Sequence, residues 1–123
     1  MRVLIVDDSE ALVQRLRSSL GEVAGLEIVG HADNATDAAL EIRRAKPDVV
    51  ILDIRMPGGS GIEVLEGLKK DPVQPIVIML SNYSYRQYRT KCLQGGARFY
   101  FDKSHEFHKV AETLRSLIGV ASA

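Results

Sequence analysis

The stretches Val3-Leu4-Ile5-Val6, Val49-Val50-Ile51-Leu52 and Ile76-Val77-Ile78-Met79-Leu80 are apolar runs with no polar residue at alternate positions. A strand with one face in water alternates, so runs of this kind fit strands covered on both faces in a parallel sheet. Each run stops at a polar group: Asp7-Asp8 after the first, Asp53 after the second, Ser81 after the third. The second run governs the reading. Residues 51 to 61 are Ile-Leu-Asp-Ile-Arg-Met-Pro-Gly-Gly-Ser-Gly, so the strand ends on one carboxylate and breaks into a glycine-rich turn. Met56-Pro57 turns the chain, and Gly58, Gly59 and Gly61 admit positive φ or close backbone approach. By itself, an acid before a Pro-Gly turn is more often a turn residue or a helix cap, and its meaning depends on what the other strands bring.

Between the runs the periodicity changes to that of helices. Leu12, Leu16 and Leu20, with Val13 beside them, mark an amphipathic helix over residues 10 to about 22, capped by Ser9 and followed by Gly21 and Gly25. Residues 26 to 32 alternate weakly around Gly30 and fit an edge strand. Asn34 caps a second helix that turns Ala38, Ala39, Ile42 and Ala45 inward and stops at Lys46-Pro47. Ile62, Leu65 and Leu68 predict a third helix, and Asp71-Pro72 with Pro75 isolates the next strand. A fourth helix is expected over about 84 to 94, closed by Gly95-Gly96, and a short strand over 98 to 101. Ser104 is placed to cap a last helix that buries Val110, Leu114, Leu117 and Ile118 and ends at Gly119. This predicts one domain over 1–119 with a short tail, 120–123. Five strands alternating with five helices predict a doubly wound parallel sheet.

Composition removes several classes. At 123 residues one core is sizeable and no second domain fits. Lys plus Arg equals Asp plus Glu, 16 each, so no global field recruits nucleic acid or an anionic membrane. The single cysteine, Cys92, excludes an internal disulfide framework and is expected as a buried thiol. Strand-like sequence begins at Arg2, and the longest apolar run is far too short to span a bilayer, which leads to a cytoplasmic expectation.

Four of the five strands thus end in a group able to do chemistry: Asp7-Asp8, Asp53, Ser81, and Lys103 just past the last. The second strand ends at His31-Ala32 without one. In a flavodoxin-like order, 2-1-3-4-5, that strand lies at the edge, while strands one and three meet at the switch point where ligands bind. Three converging carboxylates repel, so a proton or a cation must join them. Lys103 offsets one charge, and oxygen-only ligands favour Mg²⁺ over Zn²⁺ or Cu²⁺ for the remainder.

With these residues in place, the sequence resembles the receiver domain of bacterial two-component response regulators over essentially its whole length. The likeness is carried by Val-Asp-Asp at 6 to 8, Asp-Ile-Arg-Met-Pro-Gly-Gly-Ser-Gly at 53 to 61, Met-Leu-Ser at 79 to 81, Gly-Gly-Ala at 95 to 97, and Lys103. It implies the five-stranded order 2-1-3-4-5, with Asp53 as phosphoryl acceptor, Asp8 as a direct Mg²⁺ ligand, Asp7 as a second acid acting through water, and the backbone carbonyl of Arg55 completing the metal site. It makes Ser81 and Lys103 the groups that bond phosphoryl oxygens, Ser81 and Tyr100 a switching pair, and Arg55 and Tyr83 the residues that tune the lifetime of the acyl phosphate. It implies a histidine kinase or histidine phosphotransfer protein as donor. Output would pass to a protein partner or a second copy through the fourth helix, fifth strand and fifth helix, where Tyr85, Arg86, Tyr88, Arg89 and Lys91 form a basic face. Such a receiver is not an enzyme beyond its own phosphorylation and dephosphorylation. A single-domain regulator is expected, the alternative being the N-terminal receiver of a DNA-binding regulator.

The family commonly has Lys-Pro where this chain has Lys103-Ser104. A cis bond before Ser costs about 2.5–4 kcal/mol, so a trans bond is expected. Two rivals fit less well. A flavodoxin-like electron carrier would offer hydroxyls and amides after its first strand, not Asp7-Asp8. A haloacid-dehalogenase-like phosphatase expects a second Asp two residues after the nucleophile, where Arg55 stands. His105 and His108, three apart at the last helix, lack a third metal ligand and are expected to face solvent.

Overall fold

The computed structural model describes residues 1–72, 74–82 and 86–122. The three apolar runs become β1 (Arg2–Val6), β3 (Val49–Leu52) and β6 (Ile76–Ser81). With β2 (Glu27–Ala32) and β7 (Phe99–Asp102) they form one parallel sheet in the order β2-β1-β3-β6-β7. A two-stranded hairpin, β4 (Arg55–Met56) and β5 (Gly59–Ser60), lies outside that sheet, and without it the order is the expected 2-1-3-4-5.

Both faces are covered, which is why the central runs carry no alternation. Residues of one strand divide between two cores by the period of two. Leu4, Val6, Val50, Leu52, Val77 and Met79 face α2 (Ala35–Ala45), α3 (Gly61–Leu68) and α4 (Arg86–Gln94). Val3, Ile5, Val49, Ile51, Ile78 and Leu80 face α1 (Glu10–Leu20) and α5 (His108–Ser122). Fully burying a side chain such as Leu16 or Leu114 stabilises by about 1.5–3 kcal/mol.

The capping predictions hold at two helices: the Ser9 side chain accepts from the Leu12 amide, and Asn34 accepts from Asp37. Ala38, Ile42 and Ala45 are buried as expected, with Ala35 added and Ala39 only half-buried. Lys46 ends α2 in the left-handed region at φ 47°, so the stop is made before Pro47.

Three expectations are corrected. Asp53 is the first residue after β3 rather than its last, although its amide still donates to the Val6 carbonyl at 3.0 Å. Ser104 does not cap α5. The Asp102 carboxylate accepts from the Ser104 and His105 amides at 2.8 and 3.0 Å, closing a local turn, and the helix begins only at His108. Gly119 does not end α5, which continues to Ser122, because a glycine without positive φ costs a helix only about 1 kcal/mol. The expected start of the fourth helix at Ser84 lies outside the described residues. Among the described residues no peptide bond is cis, so Lys103-Ser104 is trans.

Candidate functional site

Register brings the acids together. Val6 pairs with Leu52 across β1 and β3, so the residues that follow, Asp7 and Asp53, emerge side by side at the carboxyl edge of the sheet. Asp7 is fixed at both ends: its amide donates to the Ala32 carbonyl at 3.0 Å, and its Oδ1 accepts from the Ser9 amide at 2.8 Å. Asp53 Oδ1 accepts from the Ile54 amide at 2.8 Å, which sets its rotamer. Ser81 closes β6, and the Lys103 amide donates to its carbonyl at 2.9 Å. Lys103 Nζ then reaches Asp7 Oδ2 at 2.8 Å and Asp53 Oδ2 at 3.2 Å.

The turn after Asp53 is shaped by its own backbone. Gly58 and Gly59 sit at φ 78° and 139° in the β4–β5 turn. Gly61 is not at positive φ, but a Cβ there would overlap the Asp53 carbonyl, so only hydrogen fits. Ser60 then caps α3, accepting from the Glu63 amide.

Asp7 and Asp53 are 3% and 6% exposed, whereas Asp8 faces solvent. Burial pushes the Asp53 carboxyl up to about 6; Lys103 pulls it down, and Asp7 adds to the rise. Burial alone would lower the Lys103 ammonium, but its bonds and charge contacts with Asp7 and Asp53 outweigh that and raise it. Carboxylate oxygens of Asp7, Asp8 and Asp53 all lie within 4.8 Å of one another. With every group ionised, three carboxylates less one ammonium leave two negative charges. A hard-oxygen donor set with that surplus fits a divalent cation such as Mg²⁺.

Ser81 is fully buried, and its hydroxyl lies near enough to the Tyr100 phenol to favour the phenol's ionised form. Tyr100 is only 3% exposed, and burial is the main cause that pushes its phenol up to about 12. The expected switching pair is therefore adjacent, with the Tyr100 ring buried. Arg55 is exposed in β4 opposite Ser60. Tyr83 and Tyr85 lie outside the described residues. His105 sits in the turn before α5, not on the helix; it and His108 are both exposed, as expected.

Several supporting groups were not legible in advance. His31, at the strand expected to be silent, places Nε2 3.0 Å from the Asp7 carbonyl. Arg89 donates from Nη1 to the Tyr100 carbonyl at 3.1 Å, whereas its sequence placed it only on a basic face. Asp102 organises the Lys103 loop, and here a signal existed: an Asp at a strand end before polar residues is a turn-forming pattern.

A doubly wound parallel sheet with buried acids, a hydroxyl and a lysine at its switch-point edge has the architecture of a signalling receiver. The sequence matches the response regulator receiver domain over residues 3–115, and the chain belongs to that family. Response regulator GacA of Pseudomonas viridiflava is 30% identical over 94% of this chain and 54% of its own length. A response regulatory protein of Yersinia pestis is 36% identical over 95% and 48%. The chain spans about half the length of these curated relatives. Among solved structures, the response regulator domain of Thermotoga maritima CheB aligns with a TM-score of 0.83 at 32% identity, covering 98% of this chain and 95% of that one. A CheX–CheY complex of Borrelia burgdorferi containing BeF₃ and Mg²⁺ aligns at 0.86 and 30%, covering 96% and 89%. Among the described residues no helix is long and apolar enough to cross a membrane.

Proposed function

We propose that this receiver accepts a phosphoryl group on Asp53 from the phosphohistidine of a kinase or phosphotransfer protein and passes the change to the face formed by α4, β7 and α5. The reading is carried by Lys103, whose ammonium bridges Asp7 and Asp53 from the end of a different strand. That contact concentrates positive charge where phosphoryl oxygens would gather, and phosphoryl transfer depends mainly on positioning and charge neutralisation.

Asp53 Oδ1 is tied to the Ile54 amide, so Oδ2, on the Lys103 side, is the attacking atom. A P–O bond forms as the P–N bond to the donor imidazole breaks, and the donor ring, protonated on its other nitrogen, keeps the P–N electron pair and leaves as neutral imidazole. Asp8, Asp53 and the Arg55 carbonyl, with Asp7 through water, would hold Mg²⁺, which would supply charge neutralisation on the phosphoryl oxygens. Lys103 and the Ser81 hydroxyl bond those oxygens. Burial keeps water from the acyl phosphate.

The protein, incubated with acetyl phosphate and Mg²⁺, is expected to gain the mass of one phosphoryl group. Chelation with EDTA and Asp53→Asn should each abolish the gain. An undiminished mass shift in Asp53→Asn overturns the assignment.

A further inference from the structure

We propose, beyond the acceptor reading and resting on it only for the trigger, that Arg89 is a positioning residue that ties Tyr100 to α4, so that the ring and the helix move as one body.

The helix needs such a tie. Within α4 only Cys92 is buried, with Tyr88 partly packed against the core, whereas α1, α2 and α3 each bury four residues. An element with few buried apolar contacts opens and shifts at low cost. Arg89 adds two contacts to one residue of the neighbouring strand. Its Nη1 donates to the Tyr100 carbonyl at 3.1 Å, and its guanidinium carbon lies 5.9 Å from the centre of the Tyr100 ring. One planar group thereby constrains both the backbone and the ring, which a lysine ammonium, a compact point donor, does not do. Glu106, whose carboxylate also feels the charge of Arg89, makes its hydrogen bonds elsewhere: it accepts from the Asp102 amide through Oε1 and from Lys109 through Oε2.

Tyr100 therefore stands between two partners. Its phenol lies beside Ser81, at the acidic pocket, and its carbonyl accepts from Arg89, on the helix. A displacement of Ser81 toward a group on Asp53 reaches α4 through this pair of contacts.

The test compares Arg89→Gln, Arg89→Lys and, as a control for charge on the same helix, Arg86→Gln. In the free protein, hydrogen-exchange protection of amides 90–94 is expected to fall ~3–10-fold in Arg89→Gln, to recover in part in Arg89→Lys, and to stay at the wild-type level in Arg86→Gln. On adding beryllofluoride and Mg²⁺, Arg89→Gln should retain the wild-type amide shifts of Ser81 and Lys103 and lose at least half of those in α4. A merely structural role would not separate these two sets. Equal protection in Arg89→Gln and Arg86→Gln, or an undiminished α4 response, overturns the tie. If the wild type shows no response to beryllofluoride, the acceptor reading fails, while the exchange comparison still decides whether Arg89 holds the helix.

Discussion

Asp53, the proposed acceptor, is buried at a cost to the fold that can be measured. Its carboxyl, ordinarily near 3.8, is pushed to about 6, chiefly by burial. Well below the ordinary carboxyl value of 3.8 both folded and unfolded chains hold the proton, and burial carries no charge penalty. Between 4 and 6 the unfolded chain loses its proton first, so this group's contribution falls as pH rises and is fully lost above 6. Asp53→Asn removes the penalty. It should stabilise the protein by roughly 1 to 3 kcal/mol at pH 7.5 and by almost nothing at pH 4, read from urea unfolding at the two pH values. A stabilisation independent of pH would mean that packing, not charge, separates the two side chains. Asp7 and Asp8 divide differently. Asp7 is buried and already committed to Lys103 and the Ser9 amide, while Asp8 is exposed. Asp8→Ala is accordingly expected to weaken Mg²⁺ binding more than Asp7→Ala, and a titration giving the reverse order would contradict that division of roles.

At the scale of elements, two glycines of α3 should answer oppositely to the same substitution. Gly61, at the start of the helix, packs against the Asp53 carbonyl, and a methyl group has nowhere to go without moving the loop after Asp53. Gly61→Ala should destabilise by about 3 kcal/mol or more. Gly67 has nothing within 4 Å of where its Cβ would stand, so Gly67→Ala should stabilise by about 0.5–1 kcal/mol through backbone entropy and helix propensity. Thermal midpoints moving in the same direction for both would refute the contrast. The loop after β7 shows the same dependence on surroundings. Ser104 has the chemistry of a cap, yet Asp102 captures its amide and that of His105, and the helix starts later.

Across the whole molecule, the sheet separates the edge that carries the candidate site from the opposite one. The acids, Ser81 and Lys103 gather at the carboxyl ends of the strands, while the loops holding Lys46, Asp48 and Pro75 lie at the opposite ends. A beryllofluoride complex should therefore perturb the amides of Ser81, Tyr100 and Lys103 far more than those of Lys46 and Asp48. His31 is not a neutral reference, because its ring touches the Asp7 carbonyl. Uniform shifts over both edges would mean that the signal is not routed through the Ser81–Tyr100 pair.

The apolar runs determined the buried parallel strands, because only a two-sided core removes alternation. The residues that ended those runs determined which side chains could meet, because consecutive strand ends in this topology share one edge. Caps at Ser9 and Asn34 were legible for a similar reason: each is satisfied within one turn of its own helix. What the tertiary structure alone decided depends on distance across the chain. The Lys103 bridge to Asp7 and Asp53 joins the ends of three strands, and the hydrogen bond from Arg89 to Tyr100 joins a helix to the next strand. The burial that lifts Asp53 to about 6 comes from several elements closing over one carboxylate. Local patterns report what a residue can satisfy among its neighbours in sequence; the charge state of a buried group depends on everything packed around it.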